Sequence, residues 1–154
     1  SGVALISVDD HAENSIVVAS GANILLNEQD VDKMLEEMCE GDILLMQLEI
    51  PLQTVEYAAR KAFGKGVKVV LNPAPARSLP KELFRHLYMV TPNRIEAEML
   101  TGIKIANDAD VEKVAEEICA MGVKNVIITL GSKGCLIREE GVSYRHRCFQ
   151  SGAC

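Results

Sequence analysis

The order of apolar and polar residues along the chain predicts strands that alternate with helices. Two β-prone stretches, at residues 3–8 and 15–19, open the sequence on either side of a polar turn, and we expect them to form an antiparallel hairpin. Neither stretch alternates cleanly between apolar and polar residues, so both faces of the hairpin should be covered. Because a lone hairpin is marginally stable in water, it needs a partner surface elsewhere in the fold or on another chain.

From residue 27 onward, segments with helical spacing of apolar residues alternate with β-prone segments. Helices are predicted where apolar residues recur every three or four positions, at 27–40 (stopped by Gly41), 51–63, 80–87, 95–101 (stopped by Gly102) and 110–121. Strands are predicted at 43–48, 67–71, 88–90 and 126–130, followed by an antiparallel hairpin of 135–137 with 142–144. The run at 43–48 is continuously apolar, which is typical of a strand buried on both faces. The alternation predicts an α/β fold with a doubly wound, mostly parallel sheet flanked by helices.

Composition narrows the class of protein. The 154 residues are 48% hydrophobic and 25% charged, which excludes a disordered segment. No apolar run approaches the roughly 20 residues that span a bilayer, so we expect no membrane association. A net charge of −6 and only 4% aromatic residues argue against nucleic acid as a partner, although backbone amides could still bind phosphate locally. Five scattered cysteines without a Cys-x-x-Cys pair suit reduced thiols in the cytoplasm, with no disulfide framework and no structural metal.

Residues that follow predicted strands are the candidates for binding, because ligands of such sheets lie beyond the carboxyl ends of the strands. Glu49 follows the strand at 43–48, where its carboxylate could accept hydrogen bonds from sugar hydroxyls or lie on the surface; spacing favours neither. Asn93 and Glu96 follow the strand at 88–90. From the pattern alone a capping box is the better interpretation there, and a site near phosphates and a hydrated Mg²⁺ is the alternative.

The loop after residues 126–130 contains Gly131 and Gly134. Two glycines let the backbone approach a ligand closely, so consecutive amides could form an anion-binding nest. The alternative is a tight turn into the following hairpin. The loop lacks the Gly-x-x-x-x-Gly-Lys-Ser/Thr pattern, so a P-loop NTPase is not supported.

Seven segments, taken in order, carry a resemblance to a known family: VALI at 3–6, GAN at 21–23, QLE at 47–49, NPAPA at 72–76, TPN with EAE at 91–98, LTG at 100–102 and ITLGS at 128–132. Together they resemble the ribokinases, which belong to the PfkB-type carbohydrate kinases. The similarity runs almost without gaps from residue 2 to about residue 149. No single motif is specific, but the combination is.

The resemblance implies a ribokinase-like fold and transfer of the γ-phosphoryl group of ATP to the 5-hydroxyl of ribose, with Mg²⁺ and a monovalent cation such as K⁺. Glu49 matches the ligand of the sugar hydroxyls, and Ile6 and Val18 match apolar lid contacts to the sugar. Asn93 matches a nucleotide-phosphate contact, and Glu96 matches the carboxylate that organises the hydrated Mg²⁺. The loop that contacts ATP is matched by Thr129, Leu130, Gly131, Ser132, Lys133 and Gly134.

The first two strands match the family's lid, which also forms its dimer interface. We therefore assign residues 1–23 to lid strands and residues 24–154 to a partial nucleotide-binding domain, and we expect a homodimer through the lid.

The sequence also departs from the family pattern. Family members are about twice as long, and their Gly-Gly substrate motif, catalytic Asp segment and cation-binding loop have no counterpart here. Residues 152–154 (Gly-Ala-Cys) offer no carboxylate, so no catalytic residue is assigned and the chain alone is expected to be a poor kinase, since a general base contributes about 10²–10⁴-fold. Two alternatives stay open: a non-catalytic α/β module that associates through its hairpin, and a kinase for another sugar or nucleoside.

Overall fold

The computed structural model describes the backbone of residues 3–8 and 14–147 and the side chains of residues 20–147. Strands β1 (Val3–Val8) and β2 (Asn14–Ala19) form an antiparallel pair, which confirms the predicted hairpin. Within the described residues this pair forms its own two-stranded sheet. The side chains of both strands and the turn at 9–13 lie outside the described residues.

The main sheet has six strands whose spatial order is their order in the chain: β3 (Ile43–Met46), β4 (Lys68–Leu71), β5 (Met89–Val90), β6 (Asn125–Thr129), β7 (Cys135–Glu139) and β8 (Val142–His146). The first four strands are parallel, and each pairs with the one before it. The last two add as antiparallel strands, which confirms the predicted hairpin of β7 and β8. Its two-residue turn has positive φ at both Glu140 (49°) and Gly141 (82°), the geometry that matches strand twist.

In the described part of the chain, five α-helices connect the strands: α1 (Glu28–Glu36), α2 (Leu52–Gly64), α3 (Lys81–Phe84), α4 (Arg94–Thr101) and α5 (Asp108–Ala120). Capping boxes at Asn27, Asn93 and Asn107 begin α1, α4 and α5, and Gly102 ends α4 with φ 73°. The α/β class with a mixed, mostly parallel sheet and flanking helices is therefore as predicted. The predicted double winding is not seen within the described residues, because the strand order from β3 to β6 does not reverse. None of the helices in the described part of the chain is both long and apolar enough to cross a membrane.

Three helix boundaries differ from the prediction by two residues or more. Helix α3 ends at Phe84 instead of residue 87. Helix α1 ends at Glu36 instead of continuing to Gly41, which takes φ 90° in the turn before β3. Helix α5 begins at Asp108, two residues earlier than predicted, because the Asn107 side chain accepts hydrogen bonds from the amides of Ala109 and Asp110. Helical periodicity locates the buried face of a helix, whereas the cap residues decide where it begins and ends.

One face of the main sheet packs beneath helices. Helix α2 packs on β4, and α5 packs on β6 and β7. The buried sheet residues of this face are Leu44, Met46, Val69, Leu71, Val90, Val126, Ile128 and Leu136.

The opposite face has no covering layer within the described residues. On β3, Ile43 is 64% and Leu45 is 66% exposed, and the neighbours of Leu45 in register, Val70 and Met89, are only half-buried. The prediction that residues 43–48 are buried on both faces is therefore wrong for the described chain, in which β3 is an edge strand whose residues alternate between buried and exposed. An apolar residue at every position of the run is nevertheless the pattern of a strand with layers on both sides.

Candidate functional site

Asn93 and Thr129 lie side by side at the carboxyl edge of the parallel strands. The two residues form a parallel β-bridge, and the Thr129 amide donates to the Pro92 carbonyl over 2.9 Å. The loop after β5 and the loop after β6 are thus joined by main-chain contacts. Their side chains can act together on one ligand.

Glu49 lies at the same edge but at its far end. The Leu48 amide donates to the Ala74 carbonyl over 2.8 Å, so the loop after β3 adjoins the loop after β4. Because β3 and β6 are three strand spacings apart, Glu49 and Thr129 are separated by roughly 14 Å. The shared edge agrees with the prediction, and the separation shows that these residues face different parts of any ligand.

Glu49 is exposed and lines a cavity of about 310 Å³ between α1, β3 and the segment before α1. Asn23, Asp30 and Gln47 line the same cavity. Two carboxylates and two amides there can accept and donate hydrogen bonds, the chemistry that several sugar hydroxyls require. Ile6 and Val18, the predicted lid contacts, have described backbone in β1 and β2, but their side chains lie outside the described residues.

Asn93 and Glu96 form a capping box at the start of α4. The Asn93 Oδ1 accepts from the Glu96 amide over 2.9 Å, and the Asn93 amide donates to Glu96 Oε2 over 2.8 Å. The capping interpretation of this motif is therefore confirmed. Asn93 is exposed, however, and within the described residues its Nδ2 group has no hydrogen-bond partner, so the same side chain can donate to a bound ligand.

Glu96 is the residue predicted to organise Mg²⁺, and its side chain is buried. One carboxylate oxygen accepts from the Asn93 amide, while Oε1 has no hydrogen-bond partner within residues 20–147. A metal held by several protein side chains does not fit, because no group of three His, Cys, Asp or Glu residues in the described part of the chain could hold one. A hydrated Mg²⁺ bound through phosphates and one carboxylate does fit this donor set.

A larger cavity of about 670 Å³ opens beside Asn93 and Thr129. Its walls come from three segments: the first two turns of α4, the loop at 105–108 and the turn after β6. Five of the predicted nucleotide contacts line it, namely Asn93, Thr129, Leu130, Gly131 and Lys133, whereas Ser132 and Gly134 do not. Lys133 is exposed and forms no ion pair among the described residues, so its ammonium group is available to an anion.

The predicted ATP loop is a closed turn. The Leu130 amide donates to the Gly134 carbonyl over 2.8 Å, and the Gly134 amide donates to Gly131 over 3.0 Å. Gly134 has φ 89° and ψ −131°, and a Cβ there would lie 1.9 Å from the His146 carbonyl oxygen. The tight-turn interpretation is therefore confirmed, and the required glycine lets β8 pass directly behind the turn. Anion binding by this loop stays a prediction.

Glu98 is a cavity residue that sequence reasoning did not single out. Its carboxylate accepts from Lys104 Nζ at 2.8 Å, the Ile105 amide at 2.9 Å and Arg94 Nε at 3.3 Å. The hydrogen bond from Lys104, followed by that from the Ile105 amide, lowers the pKa of Glu98 to about 2. Glu98 thereby fixes the loop after α4 as a wall of the cavity. The only sequence signal was its place in the Glu-Ala-Glu segment at 96–98, because the contact with Ile105 depends on how the loop folds back.

Cys39, Cys119 and Cys135 are free thiols, and burial raises the pKa of Cys119. Cys148 and Cys154 lie outside the described residues, as do residues 152–154, where no carboxylate was predicted.

Comparison with known proteins identifies the family. The pfkB family carbohydrate kinase model matches residues 1–153. Ribokinase from Haemophilus influenzae is 47% identical over 143 residues, 93% of this chain and 47% of that protein, and deoxyribokinase from Salmonella typhi is 37% identical over 139 residues, 88% of this chain and 45% of that protein. The crystal structure of ribokinase from Thermotoga maritima superposes with a TM-score of 0.81 at 34% identity, covering 100% of this chain and 50% of that one.

The chain belongs to the pfkB family of carbohydrate kinases. It spans about half the length of the curated relatives that it matches.

Proposed function

We propose that this chain supplies nucleotide-phosphate and sugar contacts of an ATP-dependent kinase that phosphorylates ribose or a closely similar sugar. The observation that carries the proposal is the adjacency of Asn93 and Thr129 at the mouth of the 670 Å³ cavity. ATP supplies the γ-phosphoryl group, and Mg²⁺ neutralises charge on its phosphates. The side-chain amide of Asn93 and the Lys133 ammonium would donate to phosphate oxygens, and Glu96, through its second carboxylate oxygen, would help to hold the hydrated Mg²⁺.

The acceptor sugar is assigned to the smaller cavity. Glu49 and Asn23 present a carboxylate and an amide to the sugar hydroxyls there. The relatives include a ribokinase and a deoxyribokinase, so the proposal commits to a pentose and makes ribose the first substrate to test. Ile6 and Val18 are proposed to cover the sugar from the hairpin.

We expect the 154-residue chain alone to turn over slowly. The carboxylates that line the large cavity are both engaged, Glu98 with Lys104 and Arg94, and Asp108 with Arg145 at 2.8 Å. Neither is available to take the proton of a sugar hydroxyl. In the smaller cavity Asp30 accepts from the Asn27 amide at 3.1 Å, and Glu49 is assigned to binding the sugar hydroxyls. A base from further polypeptide is therefore part of the proposal, and the uncovered sheet face offers that polypeptide an apolar surface to pack on.

Nucleotide binding tests the central claim. Calorimetric titration of the chain with ATP and Mg²⁺ should show binding that Asn93→Ser weakens about tenfold, because serine keeps the helix cap but removes the amide donor. Lys113→Ala, which removes an exposed lysine on α5 outside the cavity, is the matched control. If Asn93→Ser binds ATP as tightly as the control, Asn93 has only its capping role.

Turnover assays test the proposed need for a further base and the sugar assignment. A coupled assay of ADP release with ribose should give a rate far below that of a full-length ribokinase. A comparable rate would show that no further carboxylate is needed. Glu49→Ala, made in a full-length relative at the matching position, should raise the KM for ribose, and an unchanged KM would remove the sugar assignment.

A second candidate function is association through the hairpin without catalysis. It is favoured by the separation of β1 and β2 from the main sheet in the described residues. A homodimer through these strands is proposed for the kinase as well, so light scattering alone does not separate the two functions, whereas ATP binding does. A strictly monomeric protein at high concentration would contradict association in both.

The free thiols at Cys39, Cys119 and Cys135 support the proposed cytoplasmic location.

A further inference from the structure

Two segments at the opposite, amino edge of the main sheet share one arrangement. Residues 66–68 and 122–124 both read Gly-Val-Lys, each at the entry to a strand. The glycines have φ 75° and 118°, and the valines are each 3% exposed. Glycine is explained by the left-handed backbone after a helix, and valine by packing in the core. Neither reason requires a lysine at the third position.

Both lysines line one cavity of about 250 Å³, which we call the basic pocket. Its other lining residues include Arg85, His86, Phe63 and Tyr88. Among the described residues no Asp or Glu lines it, although the chain as a whole carries a net charge of −6. It lies at the amino ends of β4 to β6, at the other end of the strands from Asn93 and Thr129. This concentration of positive charge is separate from the candidate active site.

The cations of the basic pocket are available to a ligand. Lys68 and Lys124 form no ion pair within residues 20–147, and Lys68 Nζ lies 5.1 Å from the centroid of the Tyr88 ring. Arg85 pairs with Glu82 at 2.9 Å, but both side chains are about two-thirds exposed, so this pair contributes little and can exchange for an anion. Three charged side chains can thus converge on one phosphate group.

The aromatic wall adds a second requirement for the ligand. Phe63, at the end of α2, is 53% exposed, and its ring meets His86 edge to face at a centroid distance of 5.4 Å. An exposed ring next to unpaired cations can pack against a flat ligand. We propose that the basic pocket binds a phosphomonoester that carries a planar ring, of the nucleoside monophosphate class. This proposal does not depend on the kinase function.

Residue-resolved NMR tests the proposal on the chain itself. Titration of ¹⁵N-labelled protein with AMP should shift the amides of Lys68, Tyr88 and Lys124. The double variant Lys68→Ala/Lys124→Ala should weaken this binding about tenfold or more, because each lysine contributes a charge-assisted hydrogen bond. Lys113→Ala, an exposed lysine without an ion pair among the described residues, should leave it unchanged. Circular dichroism verifies that the variants are folded.

The outcomes are distinguishable. Shifts confined to residues 93–98 and 129–134 would overturn the basic pocket while supporting nucleotide binding at the carboxyl edge. Shifts of Lys68, Tyr88 and Lys124 without shifts at the carboxyl edge would support the basic pocket and not the proposed function, and absence of any shift would overturn the basic pocket. Adenosine should bind the pocket far more weakly than AMP, and equal binding would refute the phosphate assignment. Phe63→Ala should weaken AMP binding but not the weaker binding of inorganic phosphate. Equal effects on both would refute the role of the ring.

Discussion

Replacing Gly134 with alanine should destabilise the protein at the turn after β6, and Gly131→Ala is its control. Both glycines have positive φ, 89° and 59°, so each substitution costs at least about 1–2 kcal/mol of backbone strain, and more at Gly134, whose ψ of −131° lies outside the left-handed helical region. The two positions differ in the space available for a Cβ atom. A Cβ at Gly131 meets no atom within 4 Å, whereas a Cβ at Gly134 would lie 1.9 Å from the oxygen and 2.8 Å from the carbon of the His146 carbonyl.

The clash at Gly134 is with main chain, which cannot rotate away, so β8 must move. Overpacking of this kind costs a further 1–3 kcal/mol or so. We therefore expect a loss of about 2–5 kcal/mol for Gly134→Ala and about 1–2 kcal/mol for Gly131→Ala, out of a total near 5–15 kcal/mol. Urea unfolding at equilibrium measures both losses. Equal losses would refute the argument that close passage of β8 demands a glycine.

Three further predictions concern stability. Glu98→Gln should destabilise the protein at neutral pH. In the folded protein the pKa of Glu98 is lowered to about 2 from 4.5, so the stability that its charge contributes is complete above about pH 4.5 and is lost as the pH falls toward 2. The unfolding curves of the variant and the unchanged protein should therefore converge at acid pH. Leu71→Ala should cost about 2–5 kcal/mol and Leu45→Ala less than about 0.5, because only Leu71 lies on the covered sheet face; equal costs by urea unfolding would contradict that assignment. Thr54→Val should cost about 1–3 kcal/mol by orphaning the Leu26 carbonyl, which accepts from Thr54 Oγ1 at 2.9 Å, while Thr54→Ser should cost clearly less.

The elements could be predicted from sequence because their signals are local. Asn-x-x-Glu at 93–96 is a capping box whose partners are three residues apart, and it forms. The Asn-x-x-Asp signal at 107–110 is equally local but was not used, so the predicted start of α5 was two residues late. Gly102 ends α4 for the same local reason. The shared edge of Glu49, Asn93 and Thr129 followed from one general property, since parallel strands connected by helices end on the same side.

What sequence did not predict depends on long-range packing. The hydrogen bond from the Ile105 amide to Glu98 requires the loop after α4 to fold back, and the residue types Ile and Glu do not predict this loop conformation. The exposure of Leu45 was mispredicted for a related reason. An apolar run indicates that a strand packs between two covering layers, but it does not indicate which residues form those layers. The roles of Ile6 and Val18 came from resemblance alone and stay predictions.

The order of the parallel strands also has a consequence for folding during synthesis. From β3 to β6 every strand pairs with its immediate predecessor, so no strand must wait for one made later. Such a sheet can lengthen one βα unit at a time as the ribosome delivers it, with each completed unit serving as a template for the next. Within the described residues, the last strand to be added is β8, which runs behind Gly134.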